Sequence, residues 1–214
     1  SLMTNESVGR LLLLGGVLAP LLLAAFVIAA ALVTDDYSGL SDTISQLGIH
    51  ESPHPLVINT GFIICGLLLL SFAFGLRYRL GRGAVVRVIW VPLVAGGIGV
   101  VLSGVVHADL DVPGAIRTLE GDLHNVFAAV AYLSLLIGMA LLAAAARRKP
   151  AWRAYATMSL AVLAASAVLL LVYASGLVEP VEGALQLSFF GVTLVWLEAV
   201  ALRALRGPND SNPQ

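Results

Sequence analysis

The chain has 214 residues, of which 59% are hydrophobic and 12% are charged, and its mean hydropathy is +0.94. Soluble domains carry about 25% charged residues on average, so this composition excludes an ordinary soluble domain and indicates an integral membrane protein. The net charge is −1, and the basic residues stand in short stretches beside the apolar runs, as membrane topology requires, and do not make a nucleic-acid-binding patch. We therefore expect membrane lipids as partners and no nucleic acid.

Six apolar runs are long enough to cross a bilayer, which takes about 20 residues in a helix. They cover residues 11–33, 56–76, 85–106, 123–146, 154–177 and 184–205. Little sequence remains between them for a soluble domain. The sequence therefore predicts an all-α integral membrane protein, a six-transmembrane-helix bundle in which residues 1–214 form a single transmembrane domain.

Basic residues lie almost entirely on one side of the predicted bundle, and Lys and Arg in short loops mark the cytoplasmic side. Those beside the termini and the second and fourth loops are Arg10, Arg77, Arg79, Arg82, Arg87, Arg147, Arg148, Lys149, Arg153, Arg203 and Arg206. Only Arg117 lies on the other side. We predict a multi-pass plasma-membrane protein with cytoplasmic N and C termini. Its first, third and fifth loops would then be extracytoplasmic.

The first outer loop, "DDYSGLSDTISQLGIHESPHP", contains a helical pattern. The apolar residues that recur at helical spacing are Leu40, Ile44 and Leu47. Ser41 or Asp42 is a suitable N-cap, and Gly48 is placed as a C-terminal cap. The pattern predicts a short amphipathic helix over residues 41–47, lying on the bundle, with Ser41 and Ser45 on one face.

Polar residues also occur where the third and fifth loops enter the next spans. His124 and Asn125 lie just inside the apolar run of the fourth span, where a polar side chain needs a partner or a water-filled cavity. Asp109 precedes them, and Glu182 begins the last span. We expect Asp42, Asp109 and His124 to meet in one outward-facing polar pocket.

The stretches "DDYSGLSDTISQLG", "ADLDVPG" and "GDLHN" resemble the bacterial and archaeal membrane proteins grouped as domain-of-unknown-function family 998. "SDTISQLG" followed by "ESP" is also faintly similar to the eukaryotic DRAM and Sfk membrane proteins, which are associated with autophagy and lipid organisation. The first resemblance implies a prokaryotic cell and an architecture, but no activity. Its pattern falls on Ser41, Asp42, Asn59, Asp109, His124 and Asn125. The chain departs from that pattern in "VHAD", where His107 stands at a position at which we expect proline.

Two classes of function stay open, and the sequence does not decide whether the protein is an enzyme. In the first, Asp42, Asp109 and His124 form a catalytic or ligand site for a lipid head group or lipid-linked molecule. They would hold a divalent metal ion that activates water, or assist a serine nucleophile. The expected binding residues around them are Ser41, Ser45, Asn59, Asp122, Asn125 and Glu182. In the second, a non-enzymatic lipid-binding or scaffold protein uses the same side chains to hydrogen-bond the loops to the helix ends.

Transporters, channels and haem carriers fit the sequence less well. No acid, lysine or histidine sits at the middle of a predicted span, as a proton or ion path would require. His107 and His124 lie near one membrane depth, but no further haem-ligand pattern accompanies them.

Overall fold

A computed structural model of the chain describes residues 5–80, 84–112, 114–177 and 179–206. These ranges contain six long helices: α1 Asn5–Leu32, α2 Pro55–Leu80, α3 Ala84–Val105, α4 Leu119–Ala146, α5 Arg153–Ala174 and α6 Glu182–Arg206. Each helix is long and apolar enough to cross a membrane. The predicted six-helix, all-α architecture is therefore confirmed, and the protein is a multi-pass membrane protein. Arg82, one of the residues used to orient the chain, lies outside the described residues.

The helices form a closed ring in chain order, because each packs against the next and α6 packs back against α1. Glycines bring α1, α2 and α3 close together, since a residue without a side chain lets two backbones approach. A Cβ on Gly75 would lie 2.6 Å from the Leu13 backbone nitrogen, and one on Gly66 would lie 2.6 Å from the Val101 backbone nitrogen. Close backbone contact thus holds this side of the ring.

Large side chains and hydrogen bonds hold the opposite side, between α4, α5 and α6. Tyr132 of α4 packs against Phe189 of α6 with ring centroids 4.7 Å apart, and its hydroxyl donates to the Ser166 carbonyl of α5 over 3.3 Å. The indole N–H of Trp196 in α6 donates to the Ser159 hydroxyl of α5 over 2.7 Å. Because lipid tails are apolar, the hydrophobic effect does not drive helices to associate in a membrane. Packing and hydrogen bonds such as these hold the helices together.

The first loop contains a short helix that differs from the predicted one. In place of an α-helix over residues 41–47, the chain forms a 3₁₀ helix, Ile44–Gly48, and Thr43 precedes it without a side-chain cap. The two large apolar side chains inside this helix are buried as expected, whereas Leu40 lies before it and is 56% exposed. The short helix packs against α1, α2 and α6, so its apolar residues rest on the bundle.

Gly48 does not cap the short helix in the way predicted. It is the last helical residue, and Ile49 after it has a φ of −71°. The Gly48 carbonyl instead accepts a hydrogen bond from the Asn59 side-chain amide of α2 over 3.0 Å, and a Cβ on Gly48 would collide with the Asn59 Oδ1. Close packing on α2 explains this glycine.

The first, third and fifth loops meet at one end of the ring. Hydrogen bonds join the first loop to the third loop and to the start of α6, which follows the fifth loop. We call this end, formed by residues 33–54, 106–112, 114–118, 175–177 and 179–181 with the adjoining helix turns, the loop end. The candidate site residues named from the sequence all lie there.

Candidate functional site

His124 is buried and fully hydrogen-bonded at the loop end of α4. Its side chain is 2% exposed. Nδ1 lies 3.0 Å from the Val106 carbonyl oxygen, and Nε2 lies 3.1 Å from the Ser45 hydroxyl. Because a carbonyl can only accept, Nδ1 carries the proton and Nε2 accepts from Ser45. His124 therefore ties the short helix to the end of α3.

Asp42 stabilises a turn in the first loop. One carboxylate oxygen accepts the Ser38 backbone N–H over 2.7 Å, and the other accepts the Ser41 hydroxyl over 3.2 Å. Ser41 therefore pairs with Asp42, and it does not share a helical face with Ser45 as predicted. Burial, and then the negative charge of Asp42, raises the pKa of Tyr37. The Tyr37 hydroxyl is buried without a hydrogen-bond partner among the described residues.

The start of α6 is bonded directly to the first loop. The Ala184 backbone N–H donates to the Leu40 carbonyl over 3.0 Å, and the Gln186 side-chain oxygen accepts the Ile44 backbone N–H over 2.6 Å. Gly183 lies so close that a Cβ there would collide with the backbone oxygen of Asp42. Gln186 thus joins α6 to a loop, whereas an amide at this depth more often joins two helices.

Asp109 organises the entry into α4. Its two carboxylate oxygens accept the Thr118 backbone N–H and the Thr118 hydroxyl, each over 2.7 Å. Thr118 is the N-cap of α4, and its hydroxyl accepts the Gly121 N–H over 3.0 Å. These two hydrogen bonds from Thr118 lower the pKa of the Asp109 carboxyl, because they stabilise its charged form.

Gln46 connects the short helix to the third loop, and it was not among the residues predicted from the sequence. Its side-chain N–H donates to the Asp109 carbonyl over 3.0 Å, while its side-chain oxygen accepts the Asp111 N–H over 3.1 Å. The amide thus makes both hydrogen bonds with the loop backbone, one as donor and one as acceptor. Together with the Ser45–His124 hydrogen bond, it fixes the third loop against the first.

Two histidines meet one carboxylate at the surface of the loop end. Glu120 Oε1 accepts the His107 backbone N–H over 2.8 Å and lies 2.8 Å from His107 Nδ1. Glu120 Oε2 lies 3.0 Å from His50 Nε2. The His50 and His107 rings stack with centroids 3.9 Å apart and an angle of 22° between their planes. We call these three residues the His–His–Glu cluster.

The remaining predicted residues lie around the loop end of α4, α5 and α6. Asp122 pairs with Arg117 over 2.8 Å on the exposed surface, whereas Asn125 is exposed one turn further along α4. Glu182 interacts with the Tyr173 hydroxyl of α5.

Asp42, Asp109 and His124 hydrogen-bond to separate partners, so their joint action in one pocket stays a prediction. Among the described residues, the group of histidine and acidic side chains whose ligand atoms come within 4.8 Å of one another is the His–His–Glu cluster. None of those three was among the predicted site residues. The signal that could have revealed them is the collection of all four histidines in the predicted outer loops and the adjoining helix ends.

The chain matches the model of one protein family. The match covers residues 17–203, and the family is described as "Protein of unknown function (DUF998)". No curated protein and no solved structure matches the chain. Because the family model covers most of the chain, including α2 to α5 entirely, the greater part of α6 and more than half of α1, the chain belongs to the DUF998 family of proteins of unknown function.

Proposed function

We propose that the protein binds the zwitterionic head group of a membrane phospholipid at an opening between α4 and the pair α5 and α6. The single observation that supports this is the position of Asn125. Its side chain is exposed. It lies on the same side of α4 as Tyr132, which contacts α5 deeper in the membrane.

The direction of Asn125 follows from helix geometry. Asn125 precedes Tyr132 by seven residues, about two turns, so the two side chains share a face. Tyr132 is buried between α5 and α6, whereas Asn125 and Ala129 on the same side are exposed. The neighbouring helices therefore cover this face at Tyr132 but leave Asn125 and Ala129 exposed.

Groups of both charges lie on the loops and helix ends near Asn125 in the fold, as a zwitterionic ligand requires. Arg117 is held by Asp122, one turn before Asn125, and it retains N–H groups that can donate to a phosphate. On the other helices, Tyr173 interacts with Glu182 and lies within electrostatic range of Asp111. A phosphate beside Asn125 and Arg117 would place an attached ammonium group towards these acids.

An amide at this position needs a polar partner. Among the described residues, Asn125 has no hydrogen bond, and a polar group in an apolar region is costly without one. A head-group phosphate would supply acceptors at this depth. His124, which adjoins it, is satisfied inside the protein, so the proposal assigns His124 to structure and Asn125 to the ligand.

The proposed setting is the extracytoplasmic leaflet of a prokaryotic plasma membrane. The orientation rests on the distribution of Lys and Arg between loops. The cell type rests on the resemblance of the sequence to bacterial and archaeal proteins. For the rest of the loop end, the structure also favours the alternative of a non-enzymatic scaffold. Several polar side chains there hydrogen-bond within a loop or join loops to helices: Asp42, Asn59, Gln186 and His124.

Binding can be measured by titrating the detergent-solubilised protein with short-chain phosphatidylethanolamine and with phosphatidylglycerol, which has no ammonium group. We expect Asn125→Ala to raise the Kd for phosphatidylethanolamine about 10- to 100-fold, because a hydrogen bond to a charged group contributes about 1.5–3 kcal/mol. The matched control is Thr60→Ala. It removes an exposed polar side chain from α2, also at the loop end of the ring.

Equal binding by the wild type, Asn125→Ala and Thr60→Ala would overturn the proposal. Equal affinity for the two lipids would overturn the assignment of the ammonium group to Asp111 and Glu182. Arg117→Gln separates the phosphate contact from the amine contact, since it should weaken the binding of both lipids.

A further inference from the structure

We propose that His50, His107 and Glu120, the His–His–Glu cluster, bind a divalent transition-metal ion, with Zn²⁺ as the best match. The proposal is independent of the lipid site. It rests on three ligand atoms, His50 Nε2, His107 Nδ1 and a Glu120 carboxylate oxygen, that lie within 4.8 Å of one another. The residues come from three segments: the first loop, the start of the third loop and the first turn of α4.

The donor set selects the class of ion. Two imidazole nitrogens and one carboxylate oxygen are a ligand combination that zinc uses in sites with three protein ligands and one open position. Calcium and magnesium prefer oxygen ligands throughout, so the two histidines disfavour them. Ligand softness and availability therefore favour Zn²⁺ over the hard cations.

The separations are close to those that an ion requires. Bonds of about 2.0–2.2 Å in a tetrahedral site put neighbouring ligand atoms about 3.3–3.6 Å apart. The present nitrogen–oxygen distances are 2.8 and 3.0 Å. The two distances end on different Glu120 oxygens, and an ion entering between the ligands would need each nitrogen and its oxygen to separate by about 0.3–0.8 Å. To bind the ion, each imidazole would present the ring nitrogen that faces Glu120 without a proton, which leaves the other ring nitrogen to carry the N–H.

Buried and hydrogen-bonded neighbours hold the backbone beside each residue of the His–His–Glu cluster. His107 adjoins Val106, whose carbonyl is bonded to the buried His124. His50 follows Ile49, which is only 6% exposed. Glu120 lies in the first turn of α4, which the Asp109–Thr118 hydrogen bonds fix. These contacts fix the backbone beside each ligand, so that the ligand side chains start from defined positions.

Water and ions can reach the cluster. The His50 side chain is 64% exposed and that of Glu120 is 39% exposed, whereas His107 is 21% exposed. The fourth coordination position would therefore face solvent and hold water. Since His50 and Glu120 are 70 residues apart in the chain, a bound ion would also join the first loop to the start of α4.

The test uses the full chain without an affinity tag, in detergent, after removal of metals by a chelator. Co²⁺ is titrated as the probe, and its visible absorption reports four-coordinate binding. We expect the wild type to bind Co²⁺ and to release it when Zn²⁺ is added. Glu120→Gln and His50→Ala should each weaken Co²⁺ binding about 100-fold or more, because the loss of even an outer partner costs about 10- to 100-fold.

The control is His54→Ala, which removes another exposed histidine from the same loop. It should leave the absorption and the affinity unchanged. A wild type that binds Co²⁺ no more tightly than His50→Ala would overturn the proposal, and so would equal losses in His50→Ala and His54→Ala. Circular dichroism of the metal-free variants shows whether they are folded, and Glu120→Gln, which keeps the side-chain volume, gives an independent answer if His50→Ala unfolds.

Discussion

Four histidines near the same loops have different environments, and burial determines what each can do. His124 is 2% exposed, and both of its ring nitrogens are used inside the protein. His50 and His107 share one carboxylate at the surface, where the proposed metal ion would take the place of these hydrogen bonds. At the residue scale, the chemistry of a histidine therefore depends on its partners rather than on its position in the sequence.

His124→Ala tests the structural assignment of that residue. The change leaves the Val106 carbonyl and the Ser45 hydroxyl without their partner, so we expect the free energy of unfolding to fall by about 1–3 kcal/mol. Unfolding of the purified protein in detergent, followed by circular dichroism, measures the loss. Asn125→Ala is the control, since that side chain is exposed and its removal should change stability little. Equal stabilities for the two variants would contradict the assignment.

The short helix and the start of α6 are positioned by each other. The first loop reaches α6 through two hydrogen bonds, from Ala184 to Leu40 and from Ile44 to Gln186. Gly183 makes these contacts feasible because its missing side chain leaves room for the backbone of Asp42. At the scale of elements, a single glycine therefore sets the distance between a loop and a transmembrane helix.

Gly183→Ala should destabilise the protein by about 1–3 kcal/mol, because an added methyl group in a packed site forces the backbone to move. The added Cβ would lie 2.8 Å from the Asp42 carbonyl carbon and 2.9 Å from its nitrogen. Gly191→Ala in the same helix is the matched control. Nothing lies within 4 Å of a Cβ there, and alanine favours a helix over glycine by up to about 1 kcal/mol. Thermal unfolding should therefore show a lower midpoint for Gly183→Ala only.

The long helices could be predicted from the sequence because each contains an apolar run that crosses a bilayer. The short helix was predicted with wrong bounds, since its limits depend on Asn59 in α2 and on Gln186, which is 142 residues from its partner Ile44. Helical spacing alone does not contain that information. The His–His–Glu cluster was missed for the same reason: its members are adjacent only after α3 and α4 pack and the first loop folds across them.

At the scale of the whole molecule, six helices close into a ring whose first and last members touch. The orientation of this ring in the membrane remains a prediction from the basic residues. It places the loop end outside the cell, where both the proposed lipid opening and the proposed metal site would be accessible.

Single cysteines at Glu51 and Arg148 test the orientation, because both positions are exposed and lie at opposite ends of the ring. They would be introduced separately with Cys65→Ser, which removes the buried native thiol. On intact cells, an impermeant thiol reagent should label Glu51→Cys, and it should label Arg148→Cys only after permeabilisation. The reverse pattern would place the loop end in the cytoplasm.

The hydrogen bond between Ile44 and Gln186 also has a consequence for how the protein is made. Its two residues are 142 positions apart, so at about 5–20 residues per second a ribosome needs about 7–28 s to supply the second after the first. For that time the backbone N–H of Ile44 lacks its partner. A chain that stalls before α6 is made would keep this donor without its partner, and the first loop would lack one of its two hydrogen bonds to α6.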